Sequence, residues 1–226
     1  MEMNTVKNRI TSNVPHASEN ECVYWVPAAA KLPGRGTLAV KRALDLFLAL
    51  VCSILLAVPM IAIGVMIVID SKGAPIYLQE RLGKGGDPFT IYKFRSMRID
   101  AEANGPKWAS ENDARCTRFG RFLRKTHLDE LPQLWNILKG DMSFVGPRPE
   151  RGCFYNEFET YIHGFRNRLA VTPGLTGLAQ VNGGYDLPPE KKIIWDMKYI
   201  KEQSLLLDFK IILKTLLCVF KRTGAR

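Results

Sequence analysis

The stretch KTHLDELPQLWNILKGDMSFVGPRPE, residues Lys125–Glu150, carries the strongest structural signals in the chain. Its leucines recur at helical spacing, and they fit a helix that begins near Pro132, because proline is tolerated only in a first turn. Thr126 and Asp129 match the spacing of a capping box at that start. The letters KGD end the helix, and a Gly-Pro-Arg-Pro turn follows at once. The sequence therefore predicts two adjacent carboxylates, Asp129 and Glu130, at a helix N-terminus beside a stiff turn.

These two carboxylates have a structural interpretation and a chemical one. Acidic residues at a helix N-terminus commonly do no more than complement the helix dipole. The same dipole also favours an ionised carboxylate and a bound phosphate. An ionised Asp129 can attack phosphorus, and a neighbouring Glu130 can hold Mg²⁺, which takes oxygen ligands and often bridges to substrate phosphates. Both acids are therefore candidates for a nucleophile and for metal ligands.

Basic residues in and around this stretch predict a pocket for an anionic substrate. Arg148 stands between two prolines and offers a planar fork to phosphate at little conformational cost, although the same letters also describe a simple stiff turn. Lys93 and Arg95 project from one face of a predicted strand, where solvated charges are the alternative. The candidate substrate-binding residues are Lys93, Arg95, Arg124, Pro147, Arg148 and Pro149.

A histidine and a glycine-rich stretch can each be interpreted in two ways. His127 is a candidate acid or base by residue type, but a lone histidine beside a helix start is more often structural. The stretch TPGLTGLAQVNGG, residues Thr172–Gly184, would form either a backbone cradle for a ligand or a pair of tight turns.

The uncharged segment Leu46–Ile69 predicts insertion into a membrane. As a straight helix its roughly 24 residues would extend about 36 Å, longer than the ~30 Å hydrocarbon core. Pro59 removes a helix hydrogen bond, and basic residues at both ends favour the cytoplasmic side. The sequence therefore predicts a re-entrant membrane helix over residues 41–72, broken at Pro59. Residues 1–40 are expected to be a poorly defined N-terminal extension, and residues 73–226 a cytoplasmic, membrane-associated catalytic domain.

The remaining patterns predict a fold class of α+β, predominantly helical. Ile76–Gln79 and Phe89–Met97 are typical of the strands of a small β-hairpin around the turn GKGGD. Two basic amphipathic stretches, Arg118–Lys125 and Leu205–Phe220, predict helices. Beside a membrane segment we expect at least one of them to lie at the membrane interface, although packing on a protein core is the commoner role.

The net charge and the cysteine content of this 226-residue chain indicate which classes of partner and which compartment to expect. A net charge of +10 implies anionic partners, namely nucleic acid, phospholipid headgroups or phosphorylated substrates. No recognisable nucleic-acid-binding module is present, so nucleic acid is not expected. The five cysteines are odd in number and lack metal-ligand spacing, which argues against a zinc site or a disulfide framework and favours a reducing compartment. The first 40 residues show no secretory signal peptide.

Four segments in this order, KRALDLFLALV, IYKFRSM, LDELPQLWNILKGDMSFVGPRPE and TPGLTGLAQVNGG, resemble the bacterial sugar transferase family, the monotopic phosphoglycosyl transferases. The resemblance covers Lys41 to the C-terminus. It implies transfer of a sugar 1-phosphate from a UDP-sugar to undecaprenyl phosphate, with release of UMP. It further implies an aspartyl-phosphosugar intermediate, a need for Mg²⁺, and a re-entrant helix broken at a proline.

The resemblance also implies roles for individual residues. Asp129 would be the nucleophile, and Glu130 its metal-associated partner. Arg148, within the Pro-Arg-Pro motif, would bind the nucleotide end, and Lys93 and Arg124 would hold phosphate.

Several properties stay open at this point. Many family members have Arg after VNG, where this chain has Gly184, so the substrate contact expected there and the choice of sugar are unsettled. Galactose is the favoured sugar, with glucose and N-acetylhexosamines as alternatives. The expected place is the inner leaflet of the cytoplasmic membrane, in contact with phospholipids, and a homodimer is possible. The rival functions are a basic membrane adaptor without catalysis and a Mg²⁺-dependent phosphohydrolase.

Overall fold

The computed structural model describes residues 24–28, 32–103, 105, 113–183 and 187–221. Within these ranges the chain is mostly helical with three two-stranded sheets, which confirms the predicted α+β class. The helices are α1 Arg35–Leu55, α2 Ala57–Asp70, α3 Arg118–Lys125, α4 Leu134–Lys139, α5 Gly152–Glu159, α6 Leu178–Gly183, α7 Pro189–Glu202 and α8 Leu205–Lys221. The strands are β1 Tyr24–Trp25, β2 Ile76–Leu82, β3 Pro88–Phe94, β4 Ser143–Val145, β5 Ile162–His163 and β6 Gly174–Thr176. Three 3₁₀ helices span Lys84–Gly86, Leu128–Gln133 and Phe165–Ala170.

The apolar segment forms two helices that meet at a sharp bend. The axes of α1 and α2 differ by 62° across a break at Leu56, three residues before the predicted break at Pro59. A proline ring clashes with the carbonyl of the residue four positions earlier, which here is Leu55, the last residue of α1. No single helix in the described residues is long and apolar enough to cross a membrane, but the bent pair together is, by length and composition. Re-entrant insertion therefore stays a prediction.

Polar residues at the start of α1 hold this helix against the rest of the protein. Lys41 lies 2.6 Å from the carboxylate of Asp208 in α8, and it also donates to the last carbonyl of β4. Asp45 accepts a hydrogen bond from the backbone N–H of Phe144 in β4. Arg42 donates to two carbonyls at the end of α4. The helix starts at Arg35, six residues before the predicted membrane element.

The predicted hairpin is confirmed as an antiparallel pair of β2 and β3. Its register runs from Ile76 opposite Phe94 to Leu82 opposite Pro88. Gly85 and Gly86 in the connecting turn have positive φ angles of 76° and 92°, which glycine adopts without a steric penalty. The first strand extends three residues beyond the predicted end. The second ends at Phe94, so the following residues, including Arg95, leave the sheet.

Two short parallel pairs organise the second half of the chain. In one pair, Ser143 lies opposite Gly174 and Val145 opposite Thr176, so the backbone groups of β6 pair with those of β4. The predicted ligand cradle or turn pair from Thr172 is therefore a strand followed by helix α6. In the other pair, β1 lies beside β5, and the adjoining Val26 is buried in a hydrophobic cluster. This part of the N-terminal extension is thus packed on the core.

Both amphipathic stretches are helical, as predicted. In α3, Leu123 is fully buried against α2 and β3, while Phe122 is exposed. In α8, Ile211 is buried and an exposed apolar set lies on the rest of the helix: Leu206, Phe209, Leu213, Leu216, Leu217 and Val219. Such a surface suits a membrane interface. Seating of either helix at that interface stays a prediction.

Gly120 allows α3 to pack against the segment that follows β3, and we expect Gly120→Ala to destabilise the fold. A Cβ atom at this position would lie 1.9 Å from the carbonyl oxygen of Ser96, so the backbone would have to move. Overpacking of this kind typically costs about 1–3 kcal/mol. Gly36→Ala is the matched control, because no atom lies within 4 Å of its Cβ position. Equal melting temperatures for the two variants in nanodiscs would contradict this packing argument.

Candidate active site

The two acids lie on the 3₁₀ helix Leu128–Gln133, between α3 and α4. This helix begins after His127, which has a positive φ of 56° and is the one non-glycine residue with positive φ in the described part of the chain. The Thr126 hydroxyl donates to the carbonyls of Phe122 and Leu123. The predicted capping box is therefore wrong, because Thr126 closes the preceding helix and does not cap the next one. His127 lines the same cavity as the acids, and burial lowers its pKa.

Asn136 in α4 fixes this region to the hairpin. Its side chain is fully buried, and Nδ2 donates to the Thr90 carbonyl at 2.7 Å while Oδ1 accepts from the Tyr92 N–H at 3.1 Å. The amide thus occupies part of the free edge of β3. The helix ends at Gly140 with φ 103°, as the letters KGD predict. Because α4 is docked on β3, the acids that precede it lie beside Lys93 of that strand.

Glu130 is held by two cations. Its Oε1 lies 3.1 Å from Lys93 Nζ, and Arg148 approaches both carboxylate oxygens, with Nη1 at 3.1 Å from Oε2. Burial would raise the pKa of the Glu130 carboxyl, but the charges of Arg148 and Lys93 and the hydrogen bonds from Arg148 lower it below its usual range. Glu130 is therefore an ionised group that is already paired.

Asp129 has the opposite environment, although it is the adjacent residue. It is 8% exposed, and no hydrogen bond or ion pair joins its carboxylate to the described residues. Burial, and next the negative charge of Glu130, raise the pKa of the Asp129 carboxyl to about 6, although Lys93, Arg124 and Arg148 act against this rise. Two neighbouring carboxyls with divergent pKa values are typical of catalytic sites, since each can then take a different role.

The basic residues predicted to bind substrate have different contact partners. Lys93 and Arg148 meet Glu130, and Arg124 is near enough to lower the pKa of Asp129. Arg95 donates instead to the Ser71 and Lys72 carbonyls just after α2. All four cations still line one cavity with the two acids. Pro147 accepts a hydrogen bond from Gly174 through its carbonyl, and the carbonyl of Pro149 accepts one from Arg81, so the Pro-Arg-Pro turn is held through its backbone.

The cavity has a volume of about 860 Å³. Its lining combines the charged residues with apolar side chains from two helices: Leu48, Cys52 and Leu56 at α1, and Ile212, Leu216 and Val219 in α8. A charged centre and an apolar wall in one cavity suit an anionic group attached to a long apolar chain.

Comparison with known proteins identifies the family of this chain. Residues 36–222 match the bacterial sugar transferase family over most of the chain. The chain belongs to the bacterial sugar transferase family. The resemblance drawn from the four sequence segments is thereby confirmed.

Individual relatives of this family member carry related names. An Aeromonas hydrophila protein named UDP-N-acetylgalactosamine-undecaprenyl-phosphate N-acetylgalactosaminephosphotransferase is 40% identical over 216 residues, 94% of this chain and 50% of that protein. A Xanthomonas campestris protein named UDP-glucose:undecaprenyl-phosphate glucose-1-phosphate transferase is 45% identical over 162 residues, 69% of this chain and 34% of its own length. A Salmonella typhimurium undecaprenyl-phosphate galactose phosphotransferase is 40% identical over 214 residues, 86% of this chain and 43% of its own length. The chain spans half or less of these relatives.

The donor set of the candidate site fits a shared cation. Within the described residues no group of three or more His, Cys, Asp or Glu side chains is arranged to hold a metal. The Asp129 carboxylate has no hydrogen-bond or ion-pair partner among the described residues, whereas both oxygens of Glu130 contact cations. Mg²⁺ commonly binds through one or two carboxylates together with substrate phosphates and water. Asp129 therefore fits Mg²⁺, with a phosphorylated substrate supplying further oxygen ligands, whereas Glu130 would hold the ion in addition to the cations that it already contacts.

Some residues around the candidate site of this family member were missed by sequence reasoning. Arg81, Arg168 and Lys192 contact the Arg148 turn or the adjoining Glu150 from three different elements. Each is one basic residue in a basic chain, and no local spacing marks it. Gly184, which departs from the family pattern, lies outside the described residues.

Proposed function

We propose that this protein transfers a sugar 1-phosphate from a UDP-sugar to a polyprenyl phosphate such as undecaprenyl phosphate, with release of UMP. The proposed route is a covalent phosphosugar intermediate on Asp129. The observation that supports it best is the buried Asp129 carboxylate, which has no hydrogen-bond or ion-pair partner in the described part of the chain and lies near cations in a cavity with an apolar wall. Family membership and the printed names of the relatives support the same class of reaction.

In the first step an oxygen of the Asp129 carboxylate attacks the phosphorus that bears the sugar. An acyl phosphate bond forms, the bond from that phosphorus to the bridging oxygen breaks, and its electron pair leaves with UMP. Charge develops on phosphoryl oxygens, and preorganised cations stabilise it. Arg148, Lys93 and Arg124 supply these cations, and Glu130 holds the first two in place.

In the second step a phosphate oxygen of the polyprenyl phosphate attacks the same phosphorus. The acyl phosphate bond breaks, the Asp129 carboxylate is regenerated, and a pyrophosphate linkage joins sugar and lipid. One pyrophosphate linkage is exchanged for another, so the overall free-energy change is small. The covalent route suits a soluble donor and a lipid acceptor, because the two substrates need not occupy the site together.

Asp129 and Glu130 would be the residues that hold Mg²⁺, which when bound supplies positive charge to the phosphates. The apolar wall formed by α1 and α8 is where we place the lipid acceptor. We further propose that the protein works on the inner leaflet of the cytoplasmic membrane and starts the assembly of a surface polysaccharide. The relatives' names differ in the sugar, so the sugar is to be measured.

The test is UMP release from a panel of UDP-sugars, with the protein in nanodiscs, Mg²⁺ present and no lipid acceptor. We expect a burst of about one UMP per enzyme, with the sugar phosphate retained on the protein, because a nucleophilic intermediate accumulates when the acceptor is missing. UMP release only after addition of undecaprenyl phosphate would keep the reaction and exclude the covalent route. Free sugar phosphate as the product would indicate a phosphohydrolase. No release with or without acceptor would favour a membrane adaptor.

A further inference from the structure

We infer that Arg168 is a positioning residue that sets the place of the Arg148 guanidinium through the Arg148 backbone. The inference rests on the proposed function for the reaction that Arg148 serves. Its structural basis is a single, partly buried hydrogen bond between the two residues. Arg168 Nη2 donates to the carbonyl oxygen of Arg148 at 2.8 Å.

Arg168 is itself fixed from several sides. It is 1% exposed, and its Nη2 lies 2.6 Å from Oδ2 of Asp196 in α7, which is equally buried. The guanidinium also lies over the rings of Phe165, at 5.0 Å, and Tyr155, at 5.7 Å. Phe165 and Tyr155 belong to a hydrophobic cluster that also contains the fully buried Ile162. The Arg148 carbonyl is therefore bound by a charge that has little freedom to move.

A purely structural role explains this ion pair poorly. Removing two charges from water costs several kcal/mol per ion, and replacing such a pair by apolar residues of similar volume is often neutral or stabilising. Two aromatic rings, Phe165 and Tyr155, already lie against Arg168, so apolar side chains would find packing partners here. What apolar residues would not provide is a charged donor to the carbonyl of Arg148.

The neighbouring residues of the turn are held in the same manner. Arg81 of β2 donates to the Pro149 carbonyl at 3.1 Å and lies 3.3 Å from Glu150. Lys192 of α7 lies 2.8 Å from the other Glu150 oxygen. Burial would raise the pKa of the Glu150 carboxyl, but Lys192 and Arg81 lower it to about 2, so it is charged at neutral pH. Arg168 acts on Arg148, whose guanidinium meets Glu130 in the cavity.

The consequence for the reaction follows from geometry. Arg148 is bidentate on Glu130, and a planar fork of this kind requires correct placement of its backbone. A misplacement of about 1 Å in a catalytic site can lower a rate about 10²-fold. Loss of the contact from Arg168 should therefore slow the first step and weaken the affinity for the nucleotide, although Arg168 is not among the residues that line the cavity.

The test is a double-mutant cycle of Arg168→Lys and Arg148→Ala in full-length protein in nanodiscs. Lysine keeps a positive charge beside Asp196, but it lacks the planar guanidinium whose Nη2 contacts both Asp196 and the Arg148 carbonyl. We expect Arg168→Lys to slow the UMP burst about 10- to 100-fold when Arg148 is present. When Arg148 is already alanine, the same change should have less than about a twofold effect, because contacting residues are not additive. The dissociation constant of UDP, measured by calorimetry, should follow the same pattern.

Controls separate positioning from stability and from the proposed function. Ile162→Val removes one methylene group from the same hydrophobic cluster and should lower the melting temperature without changing the burst or UDP affinity. If Arg168→Lys does not fold, Asp196→Asn replaces it in the cycle, since it keeps the shape of the ion pair. Additive effects in both readouts would overturn the inference. Absence of UMP release from the unaltered protein, with or without acceptor, would instead reject the proposed function, and the double-mutant cycle in UDP affinity would then test the inference alone.

Discussion

Asp129→Asn is expected to abolish the covalent intermediate and the burst of UMP. Asparagine keeps the size of the side chain but has no anionic oxygen to attack phosphorus. Loss of a nucleophile commonly lowers turnover by several orders of magnitude, and we expect a decrease of at least about 10³-fold. The measurement is transfer of labelled sugar phosphate to the protein after mixing with the UDP-sugar that gives the largest burst. Retention of label by this variant would place the covalent bond on another residue.

The same substitution is expected to stabilise the protein at neutral pH. The pKa of Asp129 is raised from about 4 in the unfolded chain to about 6 in the folded protein, so the folded state binds this proton more tightly. Asp129 therefore lowers the free energy of unfolding progressively as pH rises from about 4 to about 6, and the penalty remains above that range. Removing it should add about 1–3 kcal/mol at pH 7.5, or several degrees in melting temperature. At pH 4 the gain should disappear.

Glu130→Gln provides the opposite control. The pKa of Glu130 is lowered by Arg148 and Lys93 against the effect of burial, so its charge stabilises the folded state above its unfolded pKa. That contribution is lost as pH falls, and the glutamine variant should melt at a lower temperature than the unaltered protein at pH 7.5. If both variants shifted the melting temperature in the same direction, the divergent environments assigned to these adjacent acids would be wrong. Melting curves of both variants and the unaltered protein at pH 4 and 7.5 test this difference between the two acids.

Local patterns predicted the elements of the fold better than their ends. The hairpin was predictable from the sequence because glycines interrupt two stretches rich in β-branched and aromatic residues. The bend was predicted at Pro59 but occurs at Leu56, since the clash of proline falls on the carbonyl four residues earlier. The capping box at Thr126 failed for a related reason. Its hydroxyl has a nearer acceptor in the helix that it ends, and tertiary contacts decide between such local alternatives.

The site residues that lie within one sequence motif were predictable from the sequence. Asp129, Glu130 and Arg148 lie in a single 26-residue stretch, and the structure brings them together with Lys93. The residues that hold this motif were not predictable. Arg168 lies 20 positions from the carbonyl that it contacts, and a single arginine has no spacing to mark it. Positioning by buried charges is a property of the tertiary structure, so it appears only when the elements are assembled.

Lys41→Met is expected to cause the largest loss of stability among the substitutions considered. Lys41 and Asp208 form an ion pair across 167 positions of the chain, and both side chains are about 10% exposed. The Lys41 amino group also donates to the carbonyl of Val145, two residues before the Pro-Arg-Pro turn. Breaking a buried pair by removing one partner leaves an uncompensated charge and typically costs about 3–5 kcal/mol. We therefore expect the melting temperature in nanodiscs to fall by roughly 10 °C or more.

The matched control is Arg35→Met, which removes a positive charge from an exposed position of the same helix. A change at such a site should alter stability by no more than about 0.5 kcal/mol. Adding Asp208→Asn to Lys41→Met should restore part of the loss, because asparagine removes the unpaired charge and can still accept the hydrogen bond from Tyr199. Equal effects of Lys41→Met and Arg35→Met would show that the pair does not fasten α1 to α8. Recovery in the double variant, by contrast, would identify the unpaired Asp208 charge as the cause of the loss.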